Sequence, residues 1–267
     1  MATFADHVIV VTGASEGIGR ALCLALAGEK AKLVLAARNE TRLEELKKEV
    51  ESKGGKAIVV PTDVTDEAAC RRLVERAVAQ WGGLNILVNN AGVTMWTRFE
   101  EITDLSIFER LMRINYLGGV YCTHYALPHL KRTGGLVVAV ASVAGLTGVP
   151  TRTGYAASKH ALFGFFDSLR VELAGTGVDV TMIAPDFVLS EIHRRALGAD
   201  GRPLGKSPLQ EAEIMTAEAC AAQIVRAMRK RDRLLITSLR GKLGRWIRMF
   251  SPALVDRIAG KAIRERK

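Results

Sequence analysis

The sequence has few cysteines, and the four it has form no recognisable pattern. Cys23, Cys70, Cys122 and Cys220 lie far apart and match neither the spacing of a metal site nor that of a redox pair. Isolated thiols of this kind are typical of reducing compartments, so we expect four reduced cysteines in a cytoplasmic protein. The five histidines also lack the spacing of metal ligands, and we expect no metal.

Long apolar runs are missing as well. No stretch approaches the roughly 20 apolar residues needed to cross a bilayer, and no secretory signal precedes the first predicted strand. With 267 residues and 48% hydrophobic content, the chain can still form a substantial core. Strand and helix patterns alternate along it, which predicts one α/β domain rather than two small ones.

Acidic residues are scarce at the C-terminal end. From Arg226 onward, 14 Lys or Arg face only 3 Asp or Glu, a net charge of +11, whereas the whole chain carries +10. The basic charge therefore belongs to the tail. Such a tail can bind an anionic membrane, nucleic acid or an acidic partner, and the alternative is a solvated helix face.

A glycine-rich turn follows the first predicted strand, His7 to Val11, which is almost continuously β-branched. The turn reads Thr-Gly-Ala-Ser-Glu-Gly-Ile-Gly from Thr12 onward and leads into a predicted helix. Gly13 suits the tight turn, Gly17 permits the close approach of a pyrophosphate, and Gly19 lets the helix pack on the strand. Because a helix N-terminus also offers free N–H groups to an anion, the pattern predicts a dinucleotide site.

The end of the second predicted strand, Lys32 to Ala37, lacks the acid that would hold a ribose 2′-hydroxyl about 20 residues after the glycines. Arg38 and Asn39 follow Ala37 instead, and a guanidinium group suits a 2′-phosphate. This favours NADP(H) over NAD(H). Glu16, beside the phosphate loop, weakly favours the opposite choice, and Arg38 alone could be a solvated strand-end charge.

Polar and small residues also follow the carboxyl ends of later strands, where α/β proteins build their sites. Asp63 could accept a hydrogen bond from adenine or cap the next helix. Asn89 to Gly92 fits a nearby ligand or a turn equally well. Ser142 could bind a substrate carbonyl or be an ordinary loop serine. Pro185 to Val188 directly follow the sixth predicted strand, Asp179 to Ala184.

Two predicted helices carry further candidates. The first, Thr103 to Leu130, contains Asn115 in its interior, where asparagine has poor propensity; it could serve a site or bond the backbone of a neighbouring strand. The second, Thr153 to Ala174, places Tyr155 and Lys159 on one face. A tyrosine needs a pKa shift of about three units to exchange a proton at neutral pH, which a nearby lysine can supply. The alternative is a half-buried tyrosine with a solvated lysine.

The chain continues beyond the seventh predicted strand. Residues 189–213 are rich in glycine, proline and charge, and we expect them to form a substrate lid. Residues 239–267 alternate apolar and basic residues at helical spacing, and Ser251-Pro252 predicts a break between two helices. This extension could pack on its own domain or a partner subunit, or it could lie on a membrane surface. We therefore divide the chain into a domain of residues 1–238 and an extension of residues 239–267.

In their order and spacing, several of these motifs resemble the classical short-chain dehydrogenase/reductase family. They are Thr12 to Gly19, Asn89 to Gly92, Asn115, Ser142 and Tyr155-x-x-x-Lys159. The resemblance covers about residues 6–237. It implies a single Rossmann-type domain with a doubly wound, seven-stranded parallel sheet, followed here by a C-terminal helical extension, and a nicotinamide cofactor across the carboxyl ends of the strands.

The resemblance also implies roles for individual residues. Tyr155 is the general acid or base, Lys159 lowers its pKa and holds the nicotinamide ribose, Ser142 orients the carbonyl, and Asn115 supports a water-linked proton relay. The cofactor-binding residues that it implies are Gly13, Ser15, Gly17, Ile18, Gly19, Arg38, Asn39, Asp63, Val64, Asn89, Ala91, Tyr155, Lys159, Pro185 and Val188.

We therefore expect an NADP(H)-dependent oxidoreductase that acts on a ketone or secondary alcohol of an apolar substrate, as a homo-oligomer. The alternatives are a 3-oxoacyl-[acyl-carrier-protein] reductase and a non-catalytic dinucleotide-sensing protein; nucleic-acid binding by the tail is disfavoured because aromatic residues are few there. The sequence departs from the family at Asp186, where glycine is usual, and in its longer tail, which is similar to that of the hydroxysteroid and lipid-keto reductase branches.

Overall fold

The computed structural model describes residues 3–209 and 214–264, and these form a seven-stranded parallel sheet with helices on both faces. The strand order is β3-β2-β1-β4-β5-β6-β7. The strands are β1 (Val8–Thr12), β2 (Lys32–Ala37), β3 (Lys56–Pro61), β4 (Ile86–Asn89), β5 (Leu136–Val140), β6 (Asp179–Ala184) and β7 (Leu234–Ile236). The predicted Rossmann-type fold class is confirmed.

Helices cover both faces of the sheet, which explains why the central strands are apolar throughout. One buried cluster lies under α1, α2 and α7, and the other under α3, α5 and α6. The helices are α1 (Gly17–Ala27), α2 (Glu40–Ser52), α3 (Glu67–Trp81), α4 (Ser106–Met112), α5 (Gly118–Thr133), α6 (Thr153–Glu172), α7 (Ala217–Lys230), α8 (Leu239–Phe250) and α9 (Pro252–Arg264).

The single long helix predicted for Thr103 to Leu130 is wrong in detail. The segment instead contains α4, a π-helical turn over Arg113–Leu117, and α5. The wider turn contains Asn115, whose side chain bonds away from its own helix. Helical periodicity alone cannot distinguish a π turn from an α turn, because the local spacing of apolar residues is almost the same.

The strand order reverses beside β1, which pairs with β2 on one side and β4 on the other. In an open parallel sheet such a reversal leaves a crevice at the carboxyl ends of the strands. The loops after β1, β4, β5 and β6 all open into this crevice, so the sequence motifs that follow those strands meet there.

The two C-terminal helices meet at Ser251 and Pro252, as the sequence predicts. Ser238 caps α8 by accepting a hydrogen bond from the Gly241 amide at 2.9 Å, and Arg248 donates to the carbonyl of Leu146 at 2.6 Å. Thus α8 packs on its own domain. Within the residues that the structure describes, no helix is both long and apolar enough to span a membrane.

Candidate active site

A large cleft of about 1640 Å³ lies at the carboxyl ends of the strands. Its volume exceeds the 300–1,000 Å³ or so of a pocket for one small molecule, so it has room for a dinucleotide and a substrate together. Most of the predicted site residues line it. They are Gly13, Ser15, Gly17, Ile18, Arg38, Asn39, Asp63, Val64, Ala91, Ser142, Tyr155, Lys159, Pro185 and Val188.

Two glycines of this loop, Gly13 and Gly19, have no space for a side chain. Gly13 has φ +65°, and a Cβ there would lie 2.9 Å from the Cα of Ala91. A Cβ on Gly19 would lie 2.2 Å from the Gly13 carbonyl oxygen, so Gly19 acts through packing and does not line the cleft. The first turn of α1 receives no side-chain cap from Glu16. Its amide groups therefore suit the phosphates of a dinucleotide, and the residues present fit that cofactor.

Basic residues surround the adenosine end of the cleft. Arg38 is exposed there, and Asn39 caps α2 by accepting from the Arg42 amide at 3.0 Å. Glu16, the contrary signal in the sequence, forms ion pairs with Arg42 at 2.8 Å and Arg195 at 2.7 Å. Its charge is thus balanced by two guanidinium groups that sequence reasoning did not place beside it.

At the predicted adenine position, the carboxylate of Asp63 already accepts from the amide and hydroxyl of Thr65, at 2.9 and 2.8 Å. The helix cap that Asp63 could have supplied is provided by Asp66. Val64 is buried and packs against Gly118, where an added Cβ would lie 2.8 Å from the Val64 side chain. Both residues line the cleft, and their contact with adenine stays a prediction.

The expected contact of Asn89 with the cofactor is not supported by its position. Asn89 is buried behind the cleft, and its amide donates to the Thr123 hydroxyl at 2.9 Å. Its neighbour Asn90 lines the cleft instead and bonds the carbonyls of Thr12 and Gly13, at 2.9 and 3.2 Å. Side chains alternate between the two faces of a strand, so two adjacent asparagines at its end point in opposite directions. This alternation could have shown from the sequence that only one of Asn89 and Asn90 faces the cleft.

The side chains of Tyr155 and Lys159 are both buried, which excludes the ordinary helix with a solvated lysine. The Lys159 ammonium donates to the Val140 carbonyl at 3.0 Å and lies 5.8 Å from the centre of the Tyr155 ring. Burial lowers the pKa of Lys159 to about 8. Burial also raises the pKa of Tyr155, and a hydrogen bond with Ser142 and the charge of Arg152 oppose that rise.

Arg152 is a residue of the site that sequence reasoning missed. It immediately precedes α6 and is buried, with its guanidinium carbon 4.2 Å from the Trp96 ring centre and 5.1 Å from that of Phe187. The same carbon lies 5.7 Å from the Tyr155 ring. Of the two influences that lower the Tyr155 pKa, the hydrogen bond with Ser142 is the larger and the positive charge of Arg152 is the second.

Ser142 follows β5 and is held in place by the backbone. Its hydroxyl accepts from the Ala144 amide at 3.1 Å and lies 3.4 Å from the Pro185 carbonyl. It is buried at the edge of the cleft, next to Tyr155. A hydroxyl fixed in this way can be presented to a substrate carbonyl together with the phenol.

Asn115 does not line the cleft but supports a residue that does. Its amide oxygen accepts from the Val93 amide at 2.8 Å, and its nitrogen donates to the Val93 carbonyl and to Ser158, both at 2.9 Å. The backbone that Asn115 bonds belongs to the loop after β4 and not to a strand, and a part of Asn115 in catalysis stays a prediction. Asn115 thereby connects the loop after β4 to the helix that carries Tyr155.

Residues C-terminal to β6 also line the cleft. Ser190, Ile192, His193 and Arg195 come from the segment predicted to be a substrate lid, and residues 210–213 of that segment lie outside the described residues. Parts of α8 and α9 line the cleft too. Across the described ranges 3–209 and 214–264, no group of three or more His, Cys, Asp or Glu could hold a metal ion.

A dinucleotide cradle and a buried Tyr-Lys-Ser group in one crevice define an oxidoreductase of the Rossmann type. The model of the short chain dehydrogenase family matches residues 7–199, and the chain belongs to this family, whose enzymes use a nicotinamide cofactor and act on small carbonyl or alcohol compounds. The predicted family membership is confirmed.

Curated relatives and solved structures resemble most of the chain. An 11-beta-hydroxysteroid dehydrogenase from Pinus massoniana is 36% identical, covering 93% of this chain and 72% of that protein. Dehydrogenase/reductase SDR family member 7B from Mus musculus is 33% identical, covering 98% and 83%. A short chain dehydrogenase/reductase from Burkholderia phymatum in complex with NAD superposes with a TM-score of 0.84 at 26% identity, covering 95% and 96%. An alcohol dehydrogenase from Thermococcus sibiricus, complexed with 5-hydroxy-NADP, gives 0.73 at 27%, covering 86% and 95%.

Proposed function

We propose that the protein is an NADP(H)-dependent oxidoreductase that interconverts a ketone and a secondary alcohol on an apolar substrate. The observation that carries the proposal is the buried Tyr155 beside Lys159 and Ser142, in a cleft whose substrate side is largely apolar. The nicotinamide, when bound, supplies or accepts the hydride. Ser142 and Tyr155 would bind the carbonyl oxygen, and the phenol of Tyr155 would give or take its proton.

The preference for NADP(H) rests on charge at the adenosine end. Arg38 is exposed at the position that follows β2, and the carboxylate of Glu16 is engaged by Arg42 and Arg195. A 2′-phosphate would therefore meet guanidinium groups rather than an uncompensated acid. Among the solved structures similar to this chain, one carries NAD and another an NADP derivative, so the preference is argued from the charges of this chain.

The preference for an apolar substrate rests on the lining of the cleft beyond Tyr155. Trp96, Val149 and Phe187 contribute from the catalytic domain, and Leu243 and Ile247 contribute from α8. Several relatives are named as 11-beta-hydroxysteroid dehydrogenases, which agrees with a bulky apolar ketone. A 3-oxoacyl thioester and a non-catalytic role in nucleotide sensing remain the alternatives to be tested.

The test measures NADPH oxidation by the purified protein against short aldehydes, aliphatic ketones, 3-oxoacyl thioesters and keto-steroids. We expect keto-steroids or similar bulky ketones to give the highest kcat/KM. Tyr155→Phe removes the hydroxyl that transfers the proton and should lower kcat at least a hundredfold. Its dissociation constant for NADPH should stay within about threefold of the wild-type value.

NADH in place of NADPH serves as the cofactor control, and kcat/KM should be at least tenfold lower with it. Strong turnover by Tyr155→Phe would contradict the proposed catalytic role. Tight NADPH binding without turnover of any compound would favour the sensing alternative. Fastest turnover of 3-oxoacyl thioesters would move the protein to the other reductase class.

The remaining parts of the proposal concern the setting of the enzyme. We propose a cytoplasmic dimer or tetramer formed through α5 and α6, consistent with the exposure of Val171 on α6. We also propose that α8 brings the enzyme to an anionic membrane surface, because it exposes Leu239, Trp246 and Phe250 beside arginine residues. An apolar substrate could then enter the cleft from the lipid phase.

A further inference from the structure

We propose that Asp186 determines substrate specificity by fixing α8 against the cleft, so that α8 and α9 form the wall that binds the distal part of an elongated apolar substrate. Asp186 stands at the end of β6, and its partners are Ser238 and Arg240 at the start of α8. The inference deepens the proposed function and rests on it for the class of substrate.

The contacts around Asp186 form a compact polar anchor. Arg240 donates to both carboxylate oxygens, at 2.8 and 2.9 Å through Nη2 and at 3.2 Å through Nε. The Ser238 hydroxyl donates to the same carboxylate at 2.8 Å. The Asp186 side chain is only 13% exposed, whereas that of Arg240 is 74% exposed. The Asp186 carboxylate is largely removed from water. Removing the Arg240 cation should therefore destabilise this contact more than the loss of a cation would at an exposed ion pair.

Two further hydrogen bonds support the anchor. The Asp186 amide donates to the Thr237 hydroxyl at 3.1 Å, and the Asp186 carboxylate accepts from the Phe187 amide at 3.0 Å. The Arg240 guanidinium carbon lies 5.7 Å from the Phe187 ring centre. The end of β6, which borders the catalytic group, and the beginning of α8 are therefore fixed to one another. A glycine at position 186 could make none of the side-chain contacts.

Beyond the anchor, α8 lies directly on the loop that follows Ser142. A Cβ on Gly241 would come within 2.8 Å of the Val143 side chain, so the helix and the loop are in close contact. Arg248, two turns further along, donates to the Leu146 carbonyl. Three points of attachment, at Arg240, Gly241 and Arg248, thus set the position of α8 relative to the catalytic loop.

The surface that this arrangement turns toward the cleft is mostly apolar, and Arg240 and Arg245 of α8 line the cleft beside it. Its apolar members, from α8 and then α9, are Leu243, Ile247, Val255, Ile258 and Ala259. Leu243 and Ile258 are 61% and 58% exposed, so they offer apolar area that a ligand could cover. A small ketone needs only the region around Tyr155, whereas a long apolar ketone would reach this wall.

The experiment compares a short and a long substrate in variants of the anchor. Cyclohexanone and a tetracyclic 3-keto-steroid are the two probes, and the measured quantity is the ratio of their kcat/KM values with NADPH. In Arg240→Gln the ratio should shift about tenfold against the steroid, mainly through its KM. Arg240→Lys, which keeps a cation, should recover part of the shift. Arg257→Gln, which removes an exposed arginine of α9, is the charge-matched control and should leave the ratio unchanged.

Hydrogen exchange of the α8 backbone provides a second readout that needs no substrate. In Arg240→Gln, amides of residues 242–250 should exchange at least several-fold faster than in Arg257→Gln. If wild-type protein reduces neither probe, the proposed function fails, while the exchange data still test the anchor. If both probes are reduced but the ratio in Arg240→Gln equals that of the wild type, the inference is overturned. Unchanged exchange rates would overturn it as well.

Discussion

At the scale of single residues, the active site depends on a lysine in a buried position, where lysines are rarely found. Lys159 is only 3% exposed, and its ammonium group has one carbonyl partner, that of Val140. Removing an ammonium group from water disfavours its charged form, which is why the pKa of Lys159 falls to about 8. At neutral pH the lysine is mostly protonated and its burial opposes folding.

The buried lysine makes folding stability depend on pH in a predictable direction. Between the folded pKa of about 8 and the unfolded value of 10.5, the unfolded chain binds more protons, so the lysine's contribution to stability rises with pH. The free energy of unfolding of the wild type, minus that of Lys159→Met, should increase by about 1–3 kcal/mol from pH 7.5 to 10. Urea denaturation of the nucleotide-free proteins measures it.

The comparison with Lys159→Met removes the contributions of other groups that titrate above pH 9, because they are common to both proteins. A difference that stays constant over this pH range would mean that Lys159 keeps an ordinary pKa in the folded state. A difference that falls with pH would mean that folding raises the pKa, as a strong ion pair would.

At the scale of secondary structure, the π-helical turn at Arg113–Leu117 supports the loop that follows β4. It lies between α4 and α5 and contains Asn115, which bonds both backbone groups of Val93. Wider turns of this kind often occur at functional sites. The loop after β4 borders the cleft, so the turn fixes one side of the cofactor site to the helix that carries Tyr155.

Replacing Asn115 should therefore affect stability and activity together. Asn115→Ala removes three hydrogen bonds, one buried and two partly buried, and leaves the Val93 amide without its acceptor, so the free energy of unfolding should fall by about 2–3 kcal/mol. Because the loop position changes while Tyr155 is retained, kcat should fall about tenfold or more. Urea denaturation and steady-state kinetics measure the two effects.

Ser158→Ala is the control for Asn115→Ala, because it removes the third of these bonds, together with the hydrogen bond from Ser158 to the Tyr155 carbonyl, and leaves both contacts with Val93. It should lower the free energy of unfolding by about half as much or less. Equal losses in the two variants would indicate that the contact with Ser158, rather than support of the loop, explains the role of Asn115.

Elements that follow from local chemistry were predictable from the sequence, and those that depend on packing were not. The bounds of β5 and β6 agree with their apolar runs, and the break at Pro252 follows from proline geometry. The placement of Asn89 behind the cleft and of Arg152 beside Tyr155 depends on which way side chains face in three dimensions. The pairing of Glu16 with Arg195 joins residues 179 positions apart, which no local pattern indicates.

At the scale of the whole molecule, charge is distributed unevenly between the catalytic domain and the tail. The positive charge is concentrated from Arg226 onward, and α8 and α9 carry much of it. The same helices expose Leu239, Trp246 and Phe250, at 82, 61 and 80%. Apolar side chains flanked by arginine and lysine are the combination that binds anionic lipid surfaces, since burial and charge attraction act together.

Membrane binding should therefore require both the exposed apolar residues and anionic lipid. Wild-type protein should bind vesicles of phosphatidylcholine with 30% phosphatidylserine and release as salt rises from 0.05 to 0.5 M, because screening weakens the charge attraction. Replacing Trp246 and Phe250 together by serine should weaken binding at least tenfold, since each aromatic side chain that becomes buried in the lipid contributes roughly 1.5–3 kcal/mol. Leu105→Ser, at a 67% exposed leucine just before α4, is the control and should bind as the wild type does. Co-sedimentation measures the binding, and equal affinity of the double variant and the control would contradict a membrane role for α8.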